Sequence, residues 1–285
     1  MTVRERTIIQ KHFNLSIGAV FGLLLVYLFF GAIVFGITKY AIPNPSNHFL
    51  EAITLIAKDV CGNLLVVYFI LWNIRYSYEP GFKLSFVGDF KPKLLISVLL
   101  VAVGYFLWYH NSIGILTEKI PIGELFEKFG NELKLDYERN PVPVISMVAI
   151  VAPICEEILF RGMILRGLLA GYKPAKAIMI SALIFGMVHL NGPQFVNAFL
   201  IGLFLGYLYY KTNSLILCIS VHVCNNAISF LRDSDTFQAT IIGFLIGAFL
   251  FFLGFWFLNK LGLFSQDQST PPDPPEILPR EVIEN

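Results

Sequence analysis

Three short clusters hold nearly all the chemistry that the membrane-like part of this chain offers. They are Cys155-Glu156-Glu157-Ile158-Leu159-Phe160-Arg161, Phe185-Gly186-Met187-Val188-His189 and His222-Val223-Cys224-Asn225-Asn226. Two carboxylates, two imidazoles, a carboxamide and a guanidinium suit hydrolysis by an activated water. A carboxylate and an imidazole can take the proton from water, alone or around a metal ion. A second imidazole and a carboxamide can donate hydrogen bonds to the tetrahedral oxyanion. Glu156, His189 and His222 also form a donor set that zinc or another divalent ion accepts. Cys155 and Cys224 read as packing residues, because free cysteine behaves as a small buried hydrophobe.

Helix geometry gives each group a face. Glu157 and Arg161 stand at i, i+4 and can pair along one side of their helix. Glu156 points about 100° away, since 3.6 residues make a turn, so it is free to face a cavity. His222 and Asn226 repeat the i, i+4 spacing. If each cluster rides on a membrane helix, Glu156 and His189 lie about 20 Å along their axes and His222 about 14 Å, at 1.5 Å per residue. Those depths are compatible with one shared pocket.

The composition requires such helices. Of 285 residues, 56% are hydrophobic and 14% charged, against about 45–50% and about 25% in a soluble domain. Too little polar surface remains to cover a water-soluble globule. A net charge of +1 gives no support to a nucleic-acid partner. An all-α polytopic transmembrane bundle remains, because a bilayer span needs about 20 mostly apolar residues. Eight spans are expected, at about 17–37, 52–72, 94–110, 142–170, 177–190, 194–210, 213–231 and 238–258. The uncharged run from 177 to 210 is divided at Asn191-Gly192-Pro193, a helix-breaking sequence. The first span is too long for a cleavable signal peptide and has no small-residue cleavage site after it.

Residues 111–140 are expected as one amphipathic interfacial helix, with Ile122, Leu125, Phe126, Phe129 and Leu133 on one stripe. Phe249, Phe251, Phe252, Phe255, Trp256 and Phe257 read as lipid-facing surface and interface anchors. Residues 1–264 form a single membrane domain with its motif-bearing core at about 140–230. Residues 265–285 are a polar, Pro-rich tail expected to be disordered. Two-thirds of the 21 Lys and Arg fall on one side when both termini are placed in the cytoplasm.

The ordered set EExxxR, FxxxH and HxxxN on separate membrane helices resembles the CPBP family, also called the Abi family. It contains type II CAAX prenyl endopeptidases and bacteriocin-processing and immunity proteins. The resemblance covers about residues 140–230. It implies that Glu156 is the general base on water, assisted by His189, while Glu157 and Arg161 support the helix. His222 and Asn226 would form the oxyanion hole, with Phe185 packed beside the site. The implied activity is intramembrane peptide-bond hydrolysis in a bacterial cell membrane. Its substrate would be a prenylated CAAX-type protein or a bacteriocin- or pheromone-like membrane peptide.

Blander readings compete. Glu157 and Arg161 can be a structural pair, and a single His or Asn in a span is often interhelical glue. A non-catalytic scaffold or immunity protein of the same fold is the alternative function. Chance concentration of all three clusters is disfavoured because each intramembrane ionisable group costs about 2.5–3.5 kcal/mol on insertion scales. The chain has no HExxH, GxSG or GxGD, so zinc site-2-type, rhomboid-type and presenilin-type proteases fit worse. The polar groups form one compact set, not a chain across the bilayer, which weakens a transporter.

Overall fold

A computed structural model describes residues 15–23, 25, 29, 68, 72, 84–231 and 240–264. Among these residues the regular elements are helices and no strand occurs. In chain order they are α1 (Pro92–His110), α2 (Ile113–Thr117), α3 (Glu124–Arg139), α4 (Pro141–Leu169), α5 (Pro174–Met187), α6 (Gly192–Thr212), α7 (Leu215–Ser229) and α8 (Ile241–Lys260). Four of them, α1, α4, α6 and α8, are long and apolar enough to cross a bilayer, while α5 and α7 are apolar but shorter. The count of eight spans is therefore not reproduced among the described residues. Of the first expected span, 17–23, 25 and 29 are helical; the rest of it, most of the 52–72 span and the 265–285 tail lie outside the described residues.

Local sequence sets the helix ends. Asn191 caps α6 by accepting from the Gln194 backbone N–H at 2.9 Å, and Pro193 sits in the first turn, where a missing N–H costs nothing. Asn213 closes α6 in the left-handed region at φ 48°, and Ser214 caps α7 through the Leu217 N–H at 3.4 Å. The α5 helix stops earlier than the expected 190. Leu190 has φ 56°, a left-handed conformation that a helix cannot continue through. His189 consequently sits in the turn after α5.

The amphipathic helix expected over 111–140 is divided into α2 and α3. Pro121 lacks an N–H and disfavours helical geometry at Ile120, so α3 starts only at Glu124. Ile122 falls outside it. Glu124 and Glu127 in the first turn and Arg139 in the last suit the α3 dipole.

Lipid offers no hydrophobic drive between helices, so close backbone approach must supply the packing. Glycines do this where α1 meets α8. A Cβ on Gly104 would meet the backbone nitrogen of Phe251, and one on Gly247 that of Trp108. The aromatic α8 face is correspondingly split. Phe249, Phe252 and Trp256 are exposed, as a lipid-facing surface requires. Phe251 instead turns inward to stack on Trp108 and Phe255 to pack on Phe204, which corrects the all-outward expectation.

Candidate active site

Helix α4 carries the two carboxylates on an irregular winding. Ser146–Val151 and Ile158–Leu165 are π-helical, with an α-helical piece, Ala152–Glu157, between them. Pro153 contributes to the irregularity, since it has no N–H for the carbonyl one turn earlier and its ring crowds that carbonyl. Wide turns of this kind recur at functional sites.

Glu157 and Arg161 are 0% and 1% exposed and joined by an Arg161 Nη1–Glu157 Oε1 hydrogen bond of 2.7 Å. The expected i, i+4 pair is present. It does more than brace one helix. Arg161 Nη2 donates to the Gly202 carbonyl on α6 at 3.3 Å, and its guanidinium carbon lies 4.5 Å from the centre of the Phe185 ring on α5. The same Glu157 Oε1 lies 2.8 Å from His222 Nδ1 on α7. One buried ion pair thus ties together α4, α5, α6 and α7.

The reactive groups sit beside this pair. His222 is buried, and its Nε2 lies 3.7 Å from Glu156 Oε2, with the Glu156 side chain 24% exposed. The adjacent glutamates thus separate into a sealed one and an accessible one, as the 100° offset anticipates. The Phe185 ring stands edge-to-face with both His189 (5.3 Å between centroids) and His222 (5.6 Å). His189 places Nδ1 2.9 Å from the Phe185 carbonyl, which leaves Nε2 for the site. Among the described residues His189 has no hydrogen bond to Glu156 or His222. Asn226 donates one amide hydrogen to the Val148 carbonyl on α4 at 3.0 Å. Its second amide hydrogen stays available, because a carboxamide carries two. Asn226 also accepts from Asn225 Nδ2 at 3.3 Å.

The zinc expectation requires Glu156, His189 and His222 to meet at one point. Among the described residues no three His, Cys, Asp or Glu side chains group as a metal site would require. Glu156 and His222 approach one another, and His189 does not complete a triad of donors with them.

All six expected site residues, together with Phe185, fall within residues 138–228, and that segment matches the family model "Type II CAAX prenyl endopeptidase Rce1-like". Residues 138–228 form an Rce1-like domain. This agrees with the resemblance carried by EExxxR, FxxxH and HxxxN. Rce1-like proteins are proteases. The Rce1-like domain and the apolar helices around it make the chain an integral membrane protein. No curated protein and no solved structure gives a significant match to the chain.

Three contributors were not visible as site residues in the sequence. The Val148 and Gly202 carbonyls are backbone acceptors, and no side-chain pattern signals them. Asn225 is buried beside Asn226, with its Oδ1 lacking a hydrogen-bond partner among the described residues. The tandem Asn225-Asn226 in an apolar helix was its one signal.

Proposed function

We propose that this chain is an intramembrane endopeptidase that hydrolyses a peptide bond with an activated water. The observation that carries the reading is the coincidence of the Rce1-like domain with the buried Glu157, Arg161, His222 cluster and the half-buried Glu156 beside it. An ion pair and a second carboxylate buried in an apolar bundle are costly, and such groups normally mark a pathway or a reaction centre.

Glu156, the accessible carboxylate, takes a proton from water, with His189 assisting. The hydroxide oxygen bonds to the scissile carbonyl carbon, and the carbonyl electron pair moves to oxygen. Asn226, and His222 in its imidazolium form through Nε2, donate hydrogen bonds to that oxyanion, which is where preorganised donors lower a barrier most. On collapse the C–N bond breaks, and the proton held by Glu156 passes to the leaving amine.

The name of the matching family points to a prenylated CAAX tail, a C-terminal Cys-aliphatic-aliphatic-X sequence with a prenyl thioether. A bacteriocin- or pheromone-like membrane peptide is the other candidate in a bacterial cell membrane. The test is cleavage of a farnesylated CAAX peptide by the purified protein, followed by mass spectrometry. Glu156→Ala and His189→Ala should each lower the rate by about 10²–10⁴-fold, the usual contribution of acid–base catalysis, with membrane insertion intact. Near wild-type cleavage by both variants would reject the protease mechanism and favour a non-catalytic scaffold or immunity protein.

A further inference from the structure

The Glu157 carboxylate has a second buried contact that a helix brace does not need. A structural pair needs Arg161 alone, yet the same oxygen, Oε1, is 2.7 Å from Arg161 Nη1 and 2.8 Å from His222 Nδ1, while Oε2 has no hydrogen-bond partner among the described residues. Glu157, Arg161 and His222 are 0%, 1% and 4% exposed, so water competes little for these bonds. A carboxylate paired with a guanidinium has no proton to give. The hydrogen between Glu157 and His222 must therefore sit on the imidazole, at Nδ1. The ring is also held edge-on to Phe185, whose own position is set by the Arg161 guanidinium above it.

We infer that Glu157 is a positioning residue for His222: it fixes the Nδ1–H tautomer and aims Nε2 at the reacting atoms beside Glu156. The consequence is chemical. With Nδ1 committed to Glu157, Nε2 is the only His222 nitrogen that can meet water, oxyanion or leaving group. It lies 3.7 Å from Glu156 Oε2. It accepts a proton when its lone pair is free, and donates to an oxyanion once protonated. The arrangement follows the logic by which a buried carboxylate holds a catalytic imidazole in a hydrolytic triad. Arg161 acts one step further out, by holding Glu157. The two adjacent glutamates thereby have different tasks: Glu156 meets water and Glu157 orients the imidazole. The inference deepens the protease reading and rests on it for the role of Nε2.

The test combines a spectrum that needs no substrate with kinetics. Nitrogen-15 NMR of histidine-labelled protein in detergent identifies His222 by the signal lost in His222→Gln. Wild type should show a protonated Nδ1 on His222. In Glu157→Gln that fixed state should be lost, and turnover of the farnesylated CAAX peptide should fall by about 10²–10⁴-fold, as when a triad carboxylate is replaced by its amide. KM should change less than threefold or so, because the substrate-binding surface is untouched. An unprotonated Nδ1 in wild type would overturn the inference even if Glu157→Gln fails to fold. A folded Glu157→Gln protein with wild-type turnover would overturn it as well. If wild type does not cleave the peptide, the protease reading fails, and the wild-type spectrum still judges the tautomer.

Discussion

Removing Arg161 tests whether the buried pair is the tie that holds the site helices together. Arg161→Met keeps an unbranched side chain of moderate length and removes the charge. The structure lets the loss be itemised: the 2.7 Å bond to Glu157, the 3.3 Å bond to Gly202 and the stacking over Phe185. With Arg161 only 1% exposed, solvent screening does little to soften the change. Breaking a buried pair by removing one partner costs about 3–5 kcal/mol, chiefly because the remaining charge stays buried and uncompensated. Glu157→Leu should cost a similar amount by stranding Arg161. The double variant Glu157→Leu/Arg161→Met strands neither charge, but it leaves the buried His222 Nδ1–H without its acceptor, so it should lie about 1–3 kcal/mol below wild type. Coupling in this cycle is thus about 3 kcal/mol or more, well beyond an exposed pair's ~0.2–1 kcal/mol. Reversible unfolding in mixed detergent micelles, followed by tryptophan fluorescence, measures all four proteins. Single variants each within 1 kcal/mol of wild type would refute the reasoning. So would additive effects, because additivity means that the two residues do not share a bond. The double variant should nevertheless be inactive, which separates the stability of the pair from its service to His222.

Asn226→Ala should lower turnover by about 10²–10³-fold with little change in KM, as for other single oxyanion donors, and Asn226→Asp should be as poor or poorer. An unchanged turnover, measured separately from KM, would remove Asn226 from the mechanism. Because Glu156, His189 and His222 do not gather as a metal set, cleavage should persist after dialysis against a strong chelator. A stoichiometric ion whose removal stops cleavage would contradict the metal-free route. Reporter fusions at Arg4 and after Lys260 should both report the cytoplasmic side, from the Lys and Arg distribution. An outward signal from one of them would mean an odd number of spans.

The sequence by itself determined the membrane class, the helical architecture and the residue types of the site. These are legible because lipid imposes a strong rule: spans must be long and apolar, so a Glu, Arg or His inside one stands out against its background. The break at 191–193 was equally local, since Asn, Gly and Pro carry their backbone preferences with them. The tertiary structure decided what spacing could not. It ended α5 before His189 through a left-handed Leu190, and divided the amphipathic segment at Pro121. It turned Phe251 and Phe255 inward although their composition matches their lipid-facing neighbours. Above all it joined Glu157 to His222, 65 residues apart in the chain. An i, i+4 rule can pair Glu157 with Arg161 on one helix. Which imidazole shares that carboxylate depends on how α4 and α7 pack, and packing is a property of surfaces in contact that no single helix encodes.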